Sequence, residues 1–168
     1  MKAMFFHGLL STPETSRTAK AVKDFLAQKD VEVIVPDYRP QARSYDEIDA
    51  FLKEEVQKLL DLNDGVMLIG ISLGGYWAYK MANDFSRVEH CVLINPSLNY
   101  YGKPVEDRGD VLLAIITNAD DDVVDNRETL KRFKGRAECV EFPSGGHRPT
   151  NMDQILPLIE KCLYTVIL

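Results

Sequence analysis

Six short apolar runs, separated by segments with helical spacing, leave this 168-residue chain few ways to fold. The runs are AMFFH (3–7), VEVIVP (31–36), GVMLIGI (65–71), VEHCVLIN (88–95), DVLLAIIT (110–117) and AECVEF (137–142). Their length and their branched and aromatic content are those of strands. Between the first two, residues 14–29 set Ala19, Val22, Phe25 and Leu26 on one helical face. Residues 45–62 do the same with Ile48, Phe51, Leu52, Val56, Leu59 and Leu60. Further helices are expected over 75–84, in DNRETLKRF (125–133) and in NMDQILPLIEKCL (151–163), where Pro157 is expected to bend or shorten the helix. Strands apolar along nearly their whole length must be covered on both faces, and parallel strands need crossover connections. The alternation therefore predicts an α/β fold, with a mostly parallel six-stranded sheet and helices on both sides.

No internal repeat or linker interrupts the pattern, so residues 1–168 read as a single domain. Hydrophobic residues make up 45% of the chain, enough to build a core. Twenty Lys and Arg against 26 Asp and Glu give a formal charge of −6 with no basic patch, which argues against a nucleic-acid partner. No apolar run has the length of a membrane span, and MKAMFFHG lacks the features of a signal peptide. Cys91, Cys139 and Cys162 lie in or beside apolar segments at spacings that fit neither a metal site nor a redox motif. They are expected to be buried free thiols, and the expectation is a cytoplasmic protein without metal or cofactor.

Chemistry enters at LIGISLGGY (68–76), where a strand breaks into Gly70-Ile71-Ser72-Leu73-Gly74 ahead of a helix. In a parallel sheet, ligands collect at the C-terminal strand ends, where Ser72 falls. A strand turning directly into a helix crowds its backbones, which accounts for the glycines; the serine at the apex is strained, with Oγ exposed. A serine hydroxyl needs a base, and the base needs an orienting acid. Of three histidines, His90 lies within an apolar strand and reads as structural, and His7 ends the first strand as an organiser of HGLLS. His147, in FPSGGHRPTN between the last strand and the last helix, is the candidate base. TNADDDVVDNR offers Asp120, Asp121, Asp122 and Asp125 as the acid. Asp121 is preferred, with Asp122 next, because Val123 and Val124 are expected to anchor its loop to the core. The order Ser72, Asp121, His147 is the one expected of an α/β-hydrolase.

HGLLSTPETS, GISLGGYWA, DDDVVDNR and SGGHR resemble the corresponding blocks of the small YqiA-like bacterial esterases of the α/β-hydrolase superfamily. The resemblance spans nearly the whole chain. It implies a compact α/β-hydrolase fold with strand order 2-1-3-4-5-6, hydrolysis of short acyl esters, and catalytic roles for Ser72, Asp121 and His147. The segment 95–110 is shorter than its counterpart in those proteins and predicts a minimal cap over an open cleft. The backbone N–H groups of Leu9 and Leu73 are expected to form the oxyanion hole. Tyr76, Trp77, Leu98, Tyr100 and Tyr101 are candidates to line a substrate pocket, with core packing the alternative for Tyr76 and Trp77. The expected substrate is a small-molecule ester, and the protein a monomer or small homo-oligomer. Thioester, peptide or acetylated-saccharide hydrolysis would use the same triad, and a non-catalytic hydrolase-like binding protein is the remaining alternative.

Overall fold

The computed structural model describes residues 1–165, so the last three residues of the domain read from sequence lie outside the described residues. In chain order the elements are β1 (Lys2–Phe6), α1 (Arg17–Ala27), β2 (Glu32–Ile34), α2 (Tyr45–Asp61), β3 (Val66–Ile71) and α3 (Leu73–Asp84). There follow β4 (His90–Ile94), β5 (Leu112–Asn118), α4 (Arg127–Phe133), β6 (Glu138–Phe142) and α5 (Met152–Leu163). All pairings are parallel, in the order β2-β1-β3-β4-β5-β6. This is the compact α/β-hydrolase fold.

Strand periodicity divides the core in two. Met4, Phe6, Leu68, Leu93 and Ile115 point to the side covered by α2 and α3, where they meet Ile48, Leu52, Val56 and Trp77. Ala3, Phe5, Ile69, Val92 and Ile116 point to the other side, against Val22 and Leu26 of α1 and Ile155 and Ile159 of α5. Every residue of β3 is buried, as expected of a central strand. Helix starts are fixed by local chemistry: Ser16 caps α1, and Ser44 and Glu47 form a reciprocal capping box on α2.

Four expectations require correction. Strand β2 is only three residues long, because Val35 and Pro36 leave the sheet at its edge. Helix α3 begins at Leu73, not 75, so Gly74 and Gly75 lie inside it, while Gly70 belongs to β3. Helix α5 runs through Pro157 unbroken. Cys91 is buried, but Cys139 is exposed and Cys162 half-buried. The reason is that β6 is an edge strand with little covering it, so its apolar alternation does not imply burial.

Candidate active site

The sharp exit from β3 sets the geometry of Ser72. Its backbone has φ 54° and ψ −122°, a conformation L-residues rarely adopt, and it stands at the N-cap position of α3 without a side-chain capping bond. The surroundings leave it no alternative: its N–H donates to Ile94 O (3.1 Å), and its carbonyl accepts from Gly75 N (2.9 Å) and Ser97 N (2.9 Å). The glycines are required by close approach. A Cβ at Gly70 would stand 2.1 Å from Gly74 O, and one at Gly74 would stand 2.0 Å from Phe6 O. Inside an ordinary helix a glycine such as Gly74 would cost about 1 kcal/mol relative to alanine; here Gly74, with Gly70 of β3, lets α3 sit directly on β1 and β3.

His147 reaches Ser72 from the loop after β6. Its Nε2 lies 2.9 Å from Ser72 Oγ, and its Nδ1 lies 2.8 Å from Asp121 Oδ2. A carboxylate only accepts, so Nδ1 carries the proton and Nε2 presents a lone pair to the serine hydroxyl. The Asp121 side chain is 1% exposed and that of His147 14%. Burying the carboxylate is offset by its donors: Oδ1 accepts the N–H groups of Val123 and Val124, both at 2.9 Å, and Oδ2 accepts from His147.

This corrects the sequence argument for the acid loop, since Val123 is 68% exposed and anchors nothing. The loop folds around Asp121 itself. An aspartate accepting N–H groups two and three residues ahead is the turn signal that separates Asp121 from the exposed Asp122.

The loop after β1 approaches Ser72 from the other side: a Cβ on Gly8 would lie 3.7 Å from Ser72 Cβ. Its carbonyls are tied off. His7 O accepts from Tyr38 Oη (2.5 Å), Gly8 O from His7 Nδ1 (2.9 Å), and Leu9 O from Gln41 Nε2 (2.9 Å). Among the described residues, neither the Leu9 N–H nor the Leu73 N–H donates to a loop, turn or cap carbonyl. His7 is wholly buried, stacks on Tyr38 and has an unpartnered Nε2; burial holds its pKa below the ordinary value. His90 lies at the start of β4, at the opposite end of the sheet from the strand ends where Ser72 sits, and burial lowers its pKa too.

The candidate pocket aromatics separate into two groups. Tyr76 and Trp77 are fully buried and line no open cleft. They form an aromatic cluster with Tyr45 and Tyr101, ring centroids 4.9–6.2 Å apart. The cluster ties down the segment between β4 and β5: Tyr76 Oη donates to Lys103 O (3.0 Å) and Trp77 Nε1 to Tyr101 Oη (3.3 Å). Asp107 is paired there with Arg136 through two contacts at 2.7 and 2.8 Å. Leu98 is also buried, and Tyr101 is partly covered, which leaves Tyr100, 52% exposed, as the candidate with the most free surface. The segment contains no helix or strand and stays pinned to α3.

Sequence reasoning missed a buried cluster of asparagines behind His147, formed by Asn95, Asn118 and Asn151; Asp120, one of the four acids considered, instead accepts the Gly146 N–H through Oδ1 (2.8 Å). Among the described residues, no group of three His, Cys, Asp or Glu is placed to hold a metal ion, and no helix is long and apolar enough to cross a membrane.

Comparison with known proteins agrees with the geometry at the level of fold. Residues 2–110 match the model of a family described as "Uncharacterised protein family (UPF0227)"; this span contains Ser72 but ends before Asp121 and His147. Among curated proteins nothing matches. An alpha/beta-superfamily protein from Xanthomonas campestris pv. campestris superposes with a TM-score of 0.78 at 18% identity, covering 95% of this chain and 98% of the other. Est1E from Butyrivibrio proteoclasticus gives 0.77 at 13% identity, covering 96% of this chain and 86% of its own. The esterase Pf2001 of Pyrococcus furiosus gives 0.77 at 17% identity, covering 96% and 79%.

Proposed function

The chain belongs to the UPF0227 family, and from its α/β-hydrolase fold and the geometry around Ser72 we propose that it is a serine esterase working through an acyl-enzyme. The observation that carries the reading is the continuous relay from Asp121 Oδ2 through His147 to Ser72 Oγ, built on a serine whose backbone is held at positive φ.

In the reaction, Ser72 Oγ attacks the ester carbonyl carbon while its proton passes to His147 Nε2. Asp121 stabilises the imidazolium and holds its tautomer. The carbonyl oxygen becomes an oxyanion, which accepts hydrogen bonds from the Leu9 and Leu73 N–H groups, the latter at the positive end of α3. Collapse of the tetrahedral intermediate breaks the bond to the alcohol oxygen, which takes the proton from His147. Water then attacks the acyl-enzyme by the same route and releases the acid.

The short segment after β4, without helix or strand and pinned to α3, supports small, short-acyl esters of the kind used by the YqiA-like esterases. The esterase Pf2001, of similar fold, supports the same reaction class. Three free thiols support a cytoplasmic setting.

A panel of p-nitrophenyl esters of increasing chain length, acyl thioesters, peptides and acetylated saccharides tests the proposal, with Ser72→Ala as control. Turnover is expected for short esters and is lost in the control, which melts like the wild type. Equal turnover by both proteins, or activity rising steeply toward long micellar chains, contradicts it.

A further inference from the structure

We propose that Asn95 is a positioning residue that holds the general base in register with the nucleophile. The proposal rests on the reading of His147 as that base. His147 lies in a loop with little stiffness of its own: Gly145 and Gly146 have φ of 149° and 75°, and the segment from 143 to 151 belongs to no strand or helix. Its position must therefore be imposed by its neighbours.

Asn95 imposes it. The residue follows β4 directly and is wholly buried, and its φ of 42° is a left-handed conformation that asparagine tolerates better than most residues. Its N–H continues the ladder to Ile116 O (2.9 Å), so its backbone is fixed to the sheet. Its side-chain Nδ2 donates to Gly146 O and to His147 O, both at 3.1 Å, and its Oδ1 accepts the Asn118 N–H (2.9 Å). These partners determine the amide's orientation, since two carbonyls can only accept and an N–H can only donate. Asn118 Nδ2 adds a second donor to Gly146 O (3.0 Å), and the amides of Asn118 and Asn151 bond each other reciprocally at 2.9 and 3.1 Å.

Adjacent residues thus reference both reacting groups to one strand end. Ile94 O holds the Ser72 N–H, and Asn95 holds the His147 carbonyl. With Asn95 replaced, the loop can move while Ser72 stays, and a displacement on the order of 1 Å between nucleophile and base costs up to about 100-fold in rate.

The test uses Asn95→Asp, which keeps the shape but opposes a carboxylate to two carbonyls, and Asn95→Ala as a second variant in case the first does not fold. Three quantities are measured: the downfield proton resonance of the His147 Nδ1–H···Asp121 bond, kcat and KM for p-nitrophenyl acetate, and the thermal melt. The expected result is a cooperative melt, loss of the resonance, and kcat lower by about 10- to 100-fold with KM within about twofold. A variant that keeps the resonance and wild-type kcat overturns the proposal, as does a change confined to KM. If the resonance disappears in the variants but the wild type hydrolyses no ester, positioning stands and the esterase reading falls. Absence of the resonance from the wild type overturns both.

Discussion

Asp121→Asn is predicted to abolish most turnover through a change of tautomer while leaving the fold nearly intact. Asp121 Oδ1 accepts two backbone N–H groups, from Val123 and Val124. An asparagine must keep its oxygen there, because an NH2 group cannot face two donors. The amide nitrogen then takes the place of Oδ2, 2.8 Å from His147 Nδ1. To accept from it, the imidazole moves its proton to Nε2, which removes the lone pair now facing Ser72 Oγ. A serine triad locked in the wrong tautomer loses about 10⁴ in kcat, equivalent to about 5 kcal/mol of transition-state stabilisation. Because the turn around residue 121 survives, the stability loss is about 1 kcal/mol. The assay is p-nitrophenyl acetate hydrolysis with a thermal melt on each protein, Asp122→Asn serving as control. Asp122 is exposed, so that variant is expected to stay within about twofold of wild type. An Asp121→Asn enzyme within tenfold of wild type, or an Asp122→Asn enzyme equally impaired, refutes the reasoning.

Glycine substitutions separate close approach from mere flexibility. A Cβ at Gly74 meets Phe6 O at 2.0 Å, where real contacts do not fall below 3.0 Å, so Gly74→Ala must push α3 and Ser72 off β1 by about 1 Å. A stability loss of about 1–3 kcal/mol and a kcat loss of about 100-fold are expected in urea melts and ester assays. Gly8→Ala meets nothing closer than 3.7 Å and is expected to melt like the wild type; equal destabilisation of the two proteins contradicts the packing argument. His7 and His90 are both held by burial below their ordinary value of 6.5, so below that pH the unfolded chain binds more protons than the folded one. Their contribution to stability is present above pH 6.5 and lost as pH falls through the lowered values, so the urea midpoint should drop as the pH is taken below 6.5. A flat or rising midpoint would oppose this.

The sheet was legible because buried parallel strands write themselves as uninterrupted apolar runs, and β3 is buried at every position. Ser72 was legible because close backbone approach demands glycines at a fixed spacing. The start of α3 was not, since Gly74 and Gly75 are poor helix formers and only their contacts with Phe6, His7 and Pro96 explain their place in a helix. The exposure of Cys139 depends on which strand is the edge, and the strand order came from the family resemblance rather than from periodicity. Burial of Tyr76 and Trp77 depends on Tyr45 and Tyr101 from distant segments. The asparagine cluster joins residues 95, 118 and 151, each of which alone reads as an ordinary loop or capping residue. Such networks have no local spacing to detect.

Fluorophosphonate labelling followed by peptide mass spectrometry tests the central claim most directly, because it requires a serine activated by its base and an oxyanion site, whatever the natural substrate. The account predicts a single covalent adduct on Ser72 in the wild type, none in Ser72→Ala, and strongly slowed labelling in His147→Ala. No adduct on the folded wild-type protein, or an adduct that persists in Ser72→Ala, would contradict it.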